Sequence, residues 1–346
     1  MDARLSQEQQ ALRDAAARLV DRLAPRTVEA LDDIERAEKL DAAIAAAGWR
    51  ELRSASDTDG PWASAVEAAI VADELARGLA DTAFVGPTLA ADLRRLADAP
   101  AARQAETVAL DATLERPAVA GEGARADWLG IDARGCHAAL VVRGESGGHS
   151  IGQVAVSSAQ TTVDLTRPTA PLPSSVSVEP VPGATRVITD NDFTRWCALG
   201  LALSCADLVG VMRGAAELAT EYAIVRRQYG VAIGSFQAVQ HLLADALVAT
   251  EGSRSVALHA AWSVDALPPN DAFAACAAAK AYCSRAALAV CETAIQVHGG
   301  IGNTWECLAH VYLRRALVSI DTFGGVGTNL DRVLAHRGIG VQSGLC

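Results

Sequence analysis

Leu5, Leu12, Leu19 and Leu23 share one helical face, and Ser6 with Gln9 makes a capping box ahead of them, so the chain opens on an amphipathic helix. Asp41 to Trp49 reads as a second helix stopped near Gly48, and about Trp62 to Leu79 as a third. A fourth spans about Pro87 to Leu96, with proline at its start, where a missing N–H costs little. Between about Thr107 and Thr189 the pattern breaks into short apolar runs split by Gly, Pro, Ser and Asp. Val108–Leu110, Ala138–Val142, Ile151–Val156 and Val176–Val178 predict the strands of a small β unit. Long helical patterns return at Asp190. The first reaches about Val225, some 36 residues or roughly 54 Å at 1.5 Å per residue. The next run from Ser235 to about Leu267, from Asn270 to Val297, and through the last forty residues. Long antiparallel helices on short connectors read as a four-helix bundle. The expected architecture is mainly α with a small β domain: an N-terminal helical domain over 1–104, a reduced β domain over 105–189 and a C-terminal helical bundle over 190–346.

The 51% hydrophobic content rests on alanine and leucine, with only 4% aromatics, which favours helices packed at close range. Lysine occurs only at Lys39 and Lys280, so arginine carries nearly all the basic charge. A formal charge of -11 argues against non-specific nucleic-acid binding, because phosphate backbones demand a basic surface. The first residues run straight into the helix pattern with no secretory signal. The most apolar helix candidate, Ala272 to Val297, carries Lys280, Arg285 and Glu292, which argues against a membrane span. The eight cysteines include no Cys-x-x-Cys pair. Cys276, Cys283 and Cys291 fall on one helix face, where cysteine serves as a small apolar residue. Buried thiols are therefore expected over disulfides or metal ligands, and a cytoplasmic location with them.

Two stretches carry candidate chemistry. The first is Arg226-Arg227-Gln228-Tyr229-Gly230, with Ser235 to His241 and Ala244-Asp245 behind it. The second, Gln296-Val297-His298-Gly299-Gly300-Ile301-Gly302, follows about 70 residues later. Each puts a cation or amide donors beside glycines where a helix pauses, which suits a diphosphate-bearing cofactor. Taken singly, each has an ordinary reading. Arg226-Arg227 could be a solvated helix end, the glycines a helix stop, and His241 and His298 packing or capping residues. In this order and spacing the stretches resemble the C-terminal domain of the FAD-dependent acyl-CoA dehydrogenases. The resemblance is specific over roughly 190–335. It is weaker over 1–100, where Ala47-Gly48-Trp49 and Glu67 to Arg77 look like the family's N-terminal helices. It implies that Arg226, Gln228, Tyr229 and Gln237 contact the FAD of an adjacent subunit. It likewise assigns Gln296 to the adenosine end and leaves Gly299 and Gly300 free for close backbone approach.

Oxidising an acyl-CoA to its enoyl form needs a carboxylate to take the α-proton while flavin accepts a β-hydride. The family places a glutamate at one of two positions. One follows a Tyr-Glu-Gly-Thr pattern, with which Gly325-Val326-Gly327-Thr328 aligns, so Val326 stands where the base would be. The other lies 26 residues before the motif arginine, at Gly200. Neither side chain accepts a proton. Asp321, Glu306 and Asp207 are the nearest other carboxylates, each read first as a surface charge or a cap. The Thr-Glu-Pro…Gly-Ser-Asp segment that holds flavin and thioester in catalytic members also lacks an equivalent. Val178-Glu179-Pro180 comes too late and lacks the serines. Retained FAD-reaching residues beside missing catalytic ones resemble the small, non-catalytic subunits of heterotetrameric (α2β2) acyl-CoA dehydrogenases of steroid side-chain degradation. That resemblance implies a larger partner subunit that supplies the base, an FAD shared with it, and no catalytic residue in this chain. Two other readings stay open: a self-sufficient homo-oligomeric dehydrogenase with a displaced base such as Asp321, and a flavin-free structural or regulatory paralogue.

Overall fold

The computed structural model describes residues 4–57, 60–120, 127–173 and 175–340. Helix α1 (Gln7–Leu23) begins at the expected capping box: the Ser6 hydroxyl accepts the Gln9 N–H at 3.2 Å, and Gln9 Oε1 accepts the Ser6 N–H at 3.0 Å. Helix α2 (Ile34–Ala46) starts well before Asp41, because Asp33 caps it by accepting the Arg36 N–H. Helices α3 (Ala65–Arg77) and α4 (Val85–Leu96) follow. Helix α4 starts two residues ahead of Pro87, and its cap comes from a distant segment. Asp132 Oδ2 accepts the Phe84 N–H at 2.7 Å, which ties the helix start to the β unit.

The β unit is a seven-stranded sheet. Its strands are β1 (Glu106–Asp111), β2 (Val119–Ala120), β3 (Trp128–Gly130), β4 (Ala138–Glu145), β5 (Gly148–Ala155), β6 (Ala170–Leu172) and β7 (Glu179–Pro180). Their spatial order is β6-β3-β1-β4-β5-β7, with β2 beside β4; β1 and β2 each run parallel to β4, and the other pairs are antiparallel. Successive residues divide between two faces. Val108, Leu110, Leu140 and Val142 join the main core, whereas Ala109, Ala139, Val141 and Val154 form a second, smaller core with Trp128 and Leu172. The expected strand at Val176–Val178 is absent. Val176 and Val178 pack on that second core without pairing, and the ladder resumes at β7.

Helix α5 spans Asp190–Val225, all 36 residues of the expected run, capped by Thr189, which accepts the Asp192 N–H. A hairpin of β8 (Arg227–Gln228) and β9 (Val231–Ala232) leads to α6 (Gln237–Ala266), then α7 (Pro269–His298), α8 (Ala309–Asp321) and α9 (Val326–His336). The expected terminal run is thus two helices, broken where Phe323 and Gly324 take φ of 60° and 91°; residues 341–346 lie outside the described ones. The most membrane-like helix is also not the one expected. Among the described residues α5, not α7, is long and apolar enough to cross a bilayer, and 94% of its apolar window is buried inside the protein. Its contact with α3 is made by Gly210 and Gly214, one turn apart. A Cβ at Gly210 would overlap the Asp73 carbonyl and sit 2.7 Å from Ala76 Cβ, so only glycine lets the two backbones approach.

One buried ionic lattice joins all three parts. Asp207 on α5 accepts from Arg315 Nη2 on α8 at 2.6 Å and from the Ser319 hydroxyl at 2.6 Å. Arg167, in the loop before β6, lies 3.2 Å from the same Asp207 oxygen and bonds Asp164 at 2.9 Å. Arg315 also donates to the Ala80 carbonyl at 3.0 Å, just before α4. Burial alone would raise the Asp207 pKa, but Arg167, Arg315 and the bonds from Arg315 and Ser319 hold it below the usual carboxylate range.

Two stability outcomes follow from these contacts. Asp207→Ala leaves two buried guanidiniums without their shared counter-charge, and urea denaturation is expected to show a loss of about 3–5 kcal/mol. Gly210→Ala is expected to lower stability by about 1–3 kcal/mol through overpacking of α5 on α3, read as a lower unfolding midpoint at unchanged slope.

A cofactor-reaching end and a closed catalytic crevice

Helix α5 ends at Val225, and Arg226 is its C-cap, donating its N–H to the Tyr222 carbonyl at 2.9 Å. The chain then turns back in a two-residue hairpin, with Arg227 opposite Ala232 and Gln228 opposite Val231. Tyr229 and Gly230 at its tip have φ of 52° and 83°, the signs a type I′ turn requires. The turn aims Tyr229 outward. Tyr229 is 95% exposed, and among the described residues its ring meets only Phe236, edge-on at 6.3 Å. Arg226 forms no ion pair with any described residue, and the Gln228 amide reaches only the neighbouring Arg227 carbonyl at 2.8 Å. Gln237 opens α6, whose N-cap Phe236 offers no side-chain oxygen. Exposed backbone N–H groups at the start of a 30-residue helix therefore lie on the same loop as Arg226.

The second stretch lies at the same end of the bundle. Helices α5, α6 and α7 reverse direction at each short connector, so α5 and α7 finish together, and Tyr222 stacks on His298 with ring centroids 4.5 Å apart. His298 is a buried packing residue whose Nδ1 meets the Ala294 carbonyl at 2.7 Å, whereas His241 is exposed. Around His298 the candidate groups face outward: Gln296 is exposed, Gly299 has φ of 65°, and a Cβ at Gly299 or Gly300 would meet no atom within 4 Å. Arginine, three carboxamides, free helix N–H groups and open glycine backbone form a donor set suited to a dinucleotide diphosphate and its adenosine. These residues fit that part of FAD.

The positions for proton abstraction are different. Gly200 sits beneath Phe323, and a Cβ there would overlap the Phe323 ring, so no larger side chain fits while the ring stays. Phe323 is buried, stands edge-on to Trp196 at 5.9 Å, and adopts φ of 60°, a costly conformation for a bulky residue. Neighbouring groups hold it in place. Arg332 Nη1 donates to the Phe323 carbonyl at 2.6 Å, Asn329 Nδ2 to the Gly324 carbonyl at 2.6 Å, and Lys280 Nζ to the Ile320 carbonyl at 2.7 Å. Lys280 is fully buried, and burial pushes its pKa down to about 8. Val326 begins α9 on the same loop.

A crevice of ≈ 20 Å³ lies close by, lined by Ser204, one turn after Gly200, and by Thr322, which adjoins Phe323, together with Asp132, Arg167 and Ser319. Such a space holds roughly one water and no flavin ring. Of the other carboxylates, Asp207 is locked in the ionic lattice, and Asp321 and Glu306 are exposed. The Phe323 plug escapes motif reading because it depends on a glycine and a phenylalanine far apart in sequence. Asp207 did leave a trace, being the only charge on α5 between Arg195 and Arg213.

Models of known families match both ends of the chain: the acyl-CoA dehydrogenase N-terminal domain over residues 6–99 and the acyl-CoA dehydrogenase C-terminal domain over residues 199–329. Acyl-CoA dehydrogenase IpdE2 of Mycobacterium tuberculosis is 34% identical over 72% of this chain and 71% of its own length. The IpdE2 of Mycolicibacterium smegmatis is 29% identical over 96% of this chain and 99% of its own. Acyl-CoA dehydrogenase FadE34 of Mycobacterium tuberculosis is 41% identical over 42% of this chain, a match spanning 20% of that longer protein. In three dimensions the chain superposes on a chain of the ChsE4-ChsE5 complex from Mycobacterium tuberculosis with a TM-score of 0.77, at 24% identity over 99% of this chain and 100% of that one. The chain belongs to the acyl-CoA dehydrogenase family.

Proposed function

We propose that this chain is a subunit of a heteromeric, FAD-dependent acyl-CoA dehydrogenase that completes the cofactor site of a larger partner and contributes no catalytic base. One contrast carries the reading. The residues that reach toward a neighbour's cofactor are exposed and free of competing ion pairs, while the chain's own catalytic crevice is filled by Phe323 and the Asp207 lattice. A carboxylate at position 200 has no room, and position 326 holds valine. The name of the structurally similar ChsE4-ChsE5 complex, which pairs two different chains, supports a heteromer, and the α2β2 arrangement comes from the resemblance to heterotetrameric acyl-CoA dehydrogenases.

In the proposed assembly, bound FAD supplies the hydride acceptor for α,β-dehydrogenation of an acyl-CoA. Arg226 would neutralise the diphosphate, Gln228, Gln237 and Gln296 would donate amide N–H groups, and the exposed Tyr229 ring would add an aromatic contact. Gly299 and Gly300 let that part of the cofactor lie against the backbone. The partner contributes the proton acceptor and the pocket for the flavin ring. A steroid-type acyl group follows from the resemblance to steroid side-chain dehydrogenases. The apolar α5 is buried and the described cysteines are free and buried, which suits a cytoplasmic assembly.

Two measurements test the proposal. The chain purified alone is expected to be colourless and inactive, and co-expression with a base-bearing homologue to give yellow, active protein; yellow, active protein from this chain alone sinks the reading. In the co-purified complex, Arg226→Ala with Gln296→Ala is expected to weaken FAD retention about ten- to hundred-fold, as loss of a charge-assisted hydrogen bond worth about 1.5–3 kcal/mol requires. Unchanged flavin absorbance per complex would reduce both residues to surface packing.

A further inference from the structure

A cavity of ≈ 290 Å³ lies between α1, α3, α5 and α6, at the small end of the roughly 300–1,000 Å³ typical of ligand pockets. It shares no lining residue with the crevice at Ser204 and Thr322, and none with the cofactor-reaching end. Much of its wall is apolar. Val66, Ala69 and Ile70 come from one face of α3, Ala206 and Val209 from α5, and Leu258 from α6. Small side chains at Ala69, Ala206 and Ala257 leave the space open among otherwise close-packed helices.

Arg13, Asp73, Glu251, Arg254 and Ser255 add polar groups to the cavity. Arg13 of α1 and Arg254 of α6 line the cavity from two different helices. Each makes only a long ionic contact: Arg13 Nε to Asp14 at 3.9 Å, and Arg254 Nη1 to the exposed Glu251 at 3.8 Å. Neither guanidinium donates a hydrogen bond within the described residues, so both keep donor capacity for an anion. Two carboxylates also line the cavity. Glu251 lies on the exposed side, and Asp73 is held by Arg213, whose Nη1 donates to Asp73 Oδ1 at 2.8 Å. Burial pushes the Asp73 pKa up to about 6 against the pull of Arg213 and, more weakly, of Arg254. An anionic head is therefore disfavoured beside Asp73 and favoured beside the two arginines.

We infer that this cavity is a binding site for an aliphatic monocarboxylate, with its acid group between Arg13 and Arg254 and its hydrocarbon chain along the α3–α5 floor. Two arginines on the lining of a largely apolar slot, one from α1 and one from α6, match a carboxylate bound through charge-assisted hydrogen bonds, with methylene groups taken out of water behind it. The site stands apart from the dehydrogenation chemistry. It would respond to the free acid rather than to the thioester, because the thioester has no carboxylate at that position.

Sodium octanoate is the probe, titrated calorimetrically into the full chain co-purified with its partner. Saturable binding of one octanoate per copy of this chain is expected. Arg13→Ala with Arg254→Ala should weaken it at least about tenfold, the scale of one lost charge-assisted bond. Ala257→Phe, which fills the cavity, should abolish it, and octanol, of equal length but uncharged, should bind at least about tenfold more weakly. Circular dichroism checks that each variant is folded; if Ala257→Phe is not, the arginine pair, lying at the cavity's edge, still decides the matter. No measurable binding overturns the inference. So does octanoate binding that ignores the arginine substitutions, which would locate it elsewhere in the complex, or equal binding of octanol, which would leave an apolar hole with no acid recognition.

Discussion

Asp207 is the charge on which the organisation of this molecule depends. It sits near the middle of an apolar helix, fully buried, and is affordable there only because Arg315 and Arg167 reach it from two other parts of the chain while Ser319 satisfies its second oxygen. A buried carboxylate without such partners would neutralise itself or push the helix outward. Each arginine in turn needs the remaining lattice, Arg167 through Asp164 and Arg315 through the Ala80 carbonyl and the Thr166 hydroxyl at 3.1 Å. The N-terminal helices, the sheet and the bundle are therefore held in register by polar groups that cannot be satisfied separately. The lattice meets at the crevice beside Gly200 and Phe323, so the contact that fastens the three parts together also removes room for chemistry between them.

Much of the fold was legible because local signals and burial agree. Thr189 caps α5 and the apolar run ends at Arg226, so both ends of a 36-residue helix could be placed from sequence. Where the signal is local but the decision is tertiary, sequence fell short. Helix α4 starts before its proline because Asp132 caps it from the sheet, and Val176–Val178 is apolar because it covers a small core, not because it pairs. The candidate cofactor-contacting residues could be named from sequence because they fall in two short stretches that keep their motif spacing. The plug was not. Nothing in the local sequence around Gly200 says that a phenylalanine from more than a hundred residues away will occupy its missing side-chain volume. Lys280 was equally opaque. It looked like a charge excluding a membrane span, and it is a buried donor that secures the α8–α9 loop on which Phe323 rides.

The middle of α5 and the segment that follows it thus have opposite characters. Its middle is buried against α3, α7 and α8, while the hairpin after it holds a left-handed backbone and exposed side chains. Tyr229 holds a left-handed backbone at φ of 52° and leaves its ring almost wholly in water, and Val225 beside it is 72% exposed. Neither feature adds to this chain's own core, and a two-stranded hairpin of this length is marginal in isolation. Strain of that kind persists where a fixed geometry serves binding. In the proposed assembly, a subunit that has filled its own crevice with ring and ion pair keeps an exposed edge whose cation and uncovered aromatic would gain partners when a second chain brings a dinucleotide against them.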